Sequence, residues 1–171
     1  SVINTISQTF NLREATQMIA DSIYSQLGYV GGILSFVNEE QKILRVRALT
    51  ENKKTKNIIK MLKKNPESFF AQLKKGYNLG TKTVLDSEIT FSDKMSAYFS
   101  PPLKKELINN MQRDLEVKTI IGVPIFSKGK SIGLIHFLFK EERKDISSLD
   151  METMTTLADQ VSIISRNLKL Y

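Results

Sequence analysis

The chain has 171 residues and a mass of 19.5 kDa, the size of one domain or of one domain with a helical extension. Hydrophobic residues at 41% and charged residues at 25% exclude a disordered tail or a fibre, and the absence of cysteine with a single histidine, His136, excludes disulfides, a thiolate nucleophile, a cysteine-held zinc or cofactor and any paired-histidine metal site. Of the net charge of +7, eight lysines (53, 54, 56, 60, 63, 64, 74, 75) against Glu51 and Glu67 place +6 between positions 51 and 75.

Apolar runs such as Ile120 to Phe126 fall far short of the roughly 20 residues that cross a bilayer. No signal peptide or lipidation motif is present in these residues. The expectation is a cytoplasmic domain with little equipment for catalysis. The lysine-rich stretch has no arginine and almost no aromatic residue before Phe69 and Phe70, which reads as a solvated helix face and argues against nucleic acid. An anion-binding surface is the alternative.

Leu12, Ala15, Ile19, Ile23 and Leu27 recur at steps of three and four after Asn11, the stripe of one helix, and Gly28 supplies its stop. Tyr29–Val37 reads as a buried strand, Asn38–Gln41 as a turn, and Ile43–Leu49 as the returning hairpin strand, with Arg45 and Arg47 on an exposed edge. Glu51–Lys64 reads as a lysine-rich helix burying Ile58, Ile59 and Leu62; Pro66 breaks it, and a short helix is expected to follow to Lys75. Gly76–Ser92 is the least patterned stretch, with Thr83–Leu85 expected as a short strand. Its Gly76-Tyr77-Asn78-Leu79-Gly80-Thr81-Lys82 segment has the wrong spacing and order for a phosphate loop. Ser100-Pro101-Pro102 is expected to open a helix carrying Leu103, Leu107, Met111 and Leu115. Lys118–Phe126, a tight turn at Ser127–Lys130, and Ser131–Lys140 form a second hairpin, and a last helix begins near Ser147 or Ser148. Both strands of this hairpin are apolar on both faces, so helices cover the sheet on each side. The fold class is α+β, with helices on both faces of an antiparallel sheet.

Val117–Ile125, Ser127–Lys130 and Ile132–Ile135 resemble the GAF-domain pattern of a strand ending in Val-Pro-Leu, a glycine turn, and an Ile-Gly-Val-Leu strand. Leu149–Asn167 resembles the closing helix of that family, and Leu12–Asn38 its opening helix and first strand. The resemblance is specific over residues 117–168 and fades over 51–116. It implies a GAF/PAS-like architecture: a five- or six-stranded antiparallel sheet, the first and last helices packed together on one face, and a small-molecule pocket under the helices of the other. It further implies a sensory or regulatory module of a bacterial-type signalling protein, as in two-component systems. Such a module binds a small effector, or only dimerises as a scaffold, and relays through its terminal helices to a covalently linked output domain such as a histidine kinase or cyclase. Residues 1–171 are thus expected to be one domain, with 1–10 as a lead-in and 147–171 as a helix leading to an output domain absent from this excised piece.

By the same resemblance the even-numbered face of the last strand, Leu134, His136 and Leu138, is the pocket side, and Phe91, Asp93, Tyr98 and Phe99 lie in the segment that would roof it. A core histidine and a packed lid are the competing readings of these residues. A covalent bilin requires the cysteine this chain lacks, as does the methionine sulfoxide reductase chemistry of a few GAF relatives. Nothing beyond the histidine points to haem. Asn52-Lys53 and Phe91-Ser92-Asp93 are fragments of the cyclic-nucleotide signature at the wrong spacing. The effector is therefore left open. On the last helix Met154, Leu157, Val161, Ile164 and Leu168 step by 3, 4, 3 and 4, a heptad seam. Together with Leu12, Ile19 and Ile23 of the first helix it is expected to form a homodimer and signalling bundle.

Overall fold

The computed structural model describes residues 11–169; the expected lead-in, residues 1–10, lies outside them. Six strands, β1 (Gly31–Asn38), β2 (Ile43–Leu49), β3 (Ala71–Gln72), β4 (Thr90–Ser92), β5 (Thr119–Ser127) and β6 (Lys130–Phe139), form one antiparallel sheet in the order β3-β2-β1-β6-β5-β4. The β5–β6 turn is tight because Lys128 and Gly129 both take left-handed backbone, φ 55° and 75°, the conformation whose twist matches a hairpin. Register then fixes the faces. His136 of β6 lies between Ile33 of β1 and Gly122 of β5, and residues alternate between the two sides of the sheet along the strand.

The odd-numbered residues Ile135, Phe137 and Phe139 join Ile121, Val123 and Ile125 under two helices, α1 (Leu12–Ser25) and α6 (Ser148–Lys169). The Asn11 side chain caps α1 by accepting from the Glu14 amide at 2.9 Å, and Gly28 at φ 74° turns the chain into β1. At the start of α6 the Ser147 hydroxyl accepts from the Asp150 amide, and the Asp150 carboxylate accepts from the Ser147 amide, both at 3.0 Å. Ala20, Ile23, Met154, Ala158 and Val161 are 0–2% exposed against the sheet, each large side chain contributing about 2 kcal/mol of burial. The small residues Ala158 and Ser162 let α6 approach closely enough for the Ser162 hydroxyl to donate to the Phe126 carbonyl.

The even-numbered face is covered by α2 (Lys56–Lys64), α3 (Leu79–Asp86), α4 (Met95–Phe99) and α5 (Lys105–Leu115). Here the sequence-based expectations need correction. Helix α2 starts at Lys56, because Asn52 and Thr55 close a turn through the Asn52 carboxamide and the Thr55 hydroxyl. Residues 66–75 hold a 3-10 turn (Pro66–Phe69) and the short edge strand β3 instead of a helix. Thr83–Leu85 is helical: the Asn78 side chain caps α3 by accepting from the Thr81 amide at 2.8 Å, and the local β preference yields to that cap and to burial of Thr83 and Val84. Ser100 closes α4, and α5 begins only at Lys105. The Leu103 amide donates to the Phe99 carbonyl at 2.9 Å, so Pro101 and Pro102 sit in the connection between two helices.

Candidate functional site

The even face of β6 holds a buried ring whose hydrogen bonding is unfinished at both nitrogens; among the described residues Ser165 Oγ and Arg45 Nε are the other buried side-chain atoms without a partner. His136 is 2% exposed, and neither Nδ1 nor Nε2 has a hydrogen-bond partner. Tyr98 stands edge-on to the imidazole with centroids 5.2 Å apart at 88°, and Phe99 leans on it at 4.6 Å and 41°. Nε2 points at the first turn of α3, where a Cβ added at Gly80 would lie 3.3 Å away. Burial drives the imidazole pKa down to about 3; the Ile33 carbonyl opposes the shift without being aligned to accept a hydrogen bond. The ring is therefore neutral at physiological pH, with one donor and one acceptor to offer.

Its neighbours are satisfied. The Thr83 hydroxyl donates to the Leu79 carbonyl at 2.8 Å and lies 2.6 Å from that of Thr90, which is 3.0 Å from the Tyr98 hydroxyl. With Thr83 committed to Leu79, Thr90 donates to Thr83 and accepts from Tyr98, an order that pairs every hydroxyl. Tyr98 is 1% exposed, and burial pushes its phenol up to about 12. The chain fits because β5 has a glycine opposite His136: a Cβ at Gly122 would sit 2.8 Å from the Thr90 hydroxyl.

On the far side of Phe99 a cavity of about 40 Å³ is walled only by apolar side chains, among them Ile58 and Leu62 of α2, Met95 of α4, and Leu103 and Ile108 at α5. Leu138 forms part of its floor. Leu134 lies further along β6, packed with Leu44, Ala71 and Val84. Of the seven expected pocket residues the structure thus gathers His136, Leu138, Tyr98 and Phe99 in one place, with Leu134 beyond them on the same face. Phe91 and Asp93 are elsewhere. Phe91 pairs in register with Ile121 and so turns to the α1–α6 side, where the Arg143 guanidinium lies 3.8 Å from its ring centroid. Together with exposed Asp93 it borders an open groove of about 730 Å³ at the sheet edge. Ile58, Leu62 and Leu103 are legible in the sequence as apolar helix residues but not as cavity walls, and Gly80, Thr83 and Thr90 are not assigned to the site there. The Asn78 cap two residues before Gly80 was the one local signal for any of the last three.

The expected dimer residues divide as well. Ile23, Met154 and Val161 are at most 1% exposed beneath this chain's own helices and are closed to a partner. Leu12, Ile19, Leu157, Ile164 and Leu168 are partly exposed. The apolar residues of these helices that face outward are instead Met18 and Tyr24 of α1 and Leu149 and Ile163 of α6, 48–68% exposed. On β2, Arg45 stacks its guanidinium 5.2 Å from the Phe70 ring centroid, and both burial and Arg45 lower the pKa of Arg47.

No helix among the described residues is long and apolar enough to cross a membrane, and no curated protein matches the chain. Among solved structures the chain is similar to residues 122 to 287 of a methyl-accepting chemotaxis protein, with 20% identity and a TM-score of 0.69 over 99% of this chain and 98% of that one. It is also similar to the GAF domain of a phosphoenolpyruvate-protein phosphotransferase from Coxiella burnetii, at 13% identity and a TM-score of 0.71 over 98% and 90% of the two chains. A third similar structure is a type II free methionine-R-sulfoxide reductase from Thermoplasma acidophilum, at 15% identity and a TM-score of 0.59 over 92% and 96%. At these identities the likeness speaks to the fold. The family model of the GAF domain matches residues 11–164, and with a six-stranded sheet sandwiched between two terminal helices and a helical lid, the chain belongs to the GAF domain family.

Proposed function

We propose that this chain is a cytoplasmic sensory domain of a signalling protein, one that binds a small effector between the sheet and its helical lid. Its α1 and α6 helices carry the response to a covalently linked output domain. The observation that carries this reading is His136, a fully buried imidazole with two unpartnered nitrogens. An orphaned polar group in a core costs stability, and such local costs are kept where a fold carries a functional site. The lid over it is assembled from four short helices rather than one rigid element. The α1 and α6 helices leave four large apolar side chains outward, and we assign them to a homodimer interface.

The domain acts as a binding module and not as a catalyst. The reductase is similar in fold, but thiol chemistry needs a cysteine and this chain has none. A second reading, a ligand-free dimerisation scaffold, is favoured by the small volume of the lid cavity, about 40 Å³. Native mass spectrometry of the domain purified from cells separates the two. The sensor reading predicts a retained adduct above the 19.5 kDa chain mass. A clean chain under conditions that preserve weak complexes transfers the domain to the scaffold reading.

A further inference from the structure

Helix α2 is the least anchored wall of the lid cavity. Its one buried residue is Ile59, and Thr55 ahead of it makes no side-chain cap, its hydroxyl donating instead to the Thr50 carbonyl at 2.6 Å. Lys56, Lys60, Lys63 and Lys64 all face solvent. Lys56 with Lys60, and Lys60 with Lys64, stand four residues apart, a spacing at which like charges repel and loosen a helix. The exposed Lys104 and Lys105 follow directly on Leu103, which lines the same cavity as Leu62. The Lys54–Glu116 ion pair at 3.5 Å joins the start of α2 to the end of α5, and Lys63 and Lys64 follow directly on Leu62, so both lysine pairs border residues that line the cavity. Glu67 and Glu106 are the carboxylates along this edge. Among the described residues neither pairs with Lys60, Lys63, Lys64, Lys104 or Lys105. The result is an apolar slot with a positively charged lip.

We infer that the α2–α5 slot takes a single-chain, fatty-acid-type carboxylate, its tail among Ile58, Leu62, Leu103 and Phe99 and its head at the lysines of the lip. The inference rests on the sensor reading above and names its effector class. A wall without a polar atom suits an aliphatic tail and no polar ring. Met95 and Met111 can re-rotamer around an unbranched chain. Lysines are point charges that suit a single carboxylate, whereas a phosphate favours the bidentate arginine fork that this lip lacks. At about 40 Å³ the slot holds the volume of only about three or four waters, so the tail enters as α2 moves outward. The head then neutralises the lysine repulsion that loosens α2. Binding at the lip and opening of the lid are one event.

Isothermal titration calorimetry at low salt tests this with decanoate below its micellar concentration, beside butyrate and decyltrimethylammonium. The expected result is saturable binding of one decanoate per chain, with each comparison compound at least tenfold weaker. The variant Lys63→Gln, Lys64→Gln, Lys104→Gln alters only exposed side chains; with an unchanged circular dichroism spectrum it should bind decanoate at least tenfold more weakly. Absence of saturable decanoate binding overturns the inference, as does equal binding of the cationic amphiphile, equal binding of butyrate, or an unaffected triple variant. Native mass spectrometry keeps the two proposals apart. A retained adduct of another chemical class with no decanoate binding overturns the fatty acid and leaves the sensor; a clean chain with no decanoate binding overturns both.

Discussion

His136 sits where an apolar residue would pack as well and at lower cost, since its two nitrogens are desolvated and unpaired. The strand pattern reveals its face, because Leu134, His136 and Leu138 alternate with Ile135 and Phe137. Its isolation was not legible there, because the groups around it come from α3 and α4, more than thirty residues away in sequence. An unfolded histidine titrates near 6.5, and the folded one is held down to about 3. Between those values the unfolded chain binds the extra proton, so stability rises with pH through this window and is lost on acidification. From pH 7 to pH 5 the loss is roughly 2 kcal/mol. Urea titrations of the wild type and of His136→Leu at both pH values check it. The wild type should lose about 2 kcal/mol more than the variant, and the variant should be at least as stable at pH 7. An equal loss in both proteins contradicts the account of this residue.

The elements divide according to how local their causes are. Helix α1, both hairpins and α6 follow from stripes, turns and caps that lie within a few residues of one another. The 66–104 segment does not: β3 exists because Ile43 and Leu44 of β2 offer it an edge, and Pro101 and Pro102 lie between two helices that tertiary contacts place. Helix α6 shows a subtler limit. The heptad reading groups Met154 and Val161 with Leu157 and Ile164, whereas the sheet takes Met154, Ala158, Val161, Ser162 and Ser165 as its stripe. A sheet is flatter than a partner helix and accepts small residues beneath the helix axis. Leu149 and Ile163 are left outward, 68% and 48% exposed. Replacing both by lysine should convert the proposed dimer to a monomer in size-exclusion chromatography with light scattering, while the melting temperature shifts by no more than a few degrees. A variant that stays dimeric removes α6 from the interface.

At the scale of the molecule the sheet is a shared wall, and the sequence announces this in β5 and β6, which are apolar on both sides. Adjacent residues of β6 face opposite layers: His136 and Leu138 touch the lid, Ile135 and Phe137 touch the α1–α6 layer. Lid occupancy can therefore bias the terminal helices through this sheet and through the Thr50–Thr55 turn, where the Glu51 amide donates to Asp21 of α1 and the Thr55 hydroxyl to the Thr50 carbonyl. It does so only by the difference in affinity between two arrangements of these contacts. The 117–168 stretch carried the family pattern because the hairpin and closing helix build that wall. The lid segment, where the proposed effector would bind, did not. Amide hydrogen exchange read by mass spectrometry, on the wild type and on Phe99→Ala, tests the coupling directly. Phe99 belongs to the lid and packs on His136, while α6 lies on the other face. At exchange times short compared with global unfolding, changed protection is predicted in α6 peptides spanning 153–165 as well as in lid peptides spanning 95–115. A change confined to the lid, with α6 as protected as in the wild type, would contradict the relay.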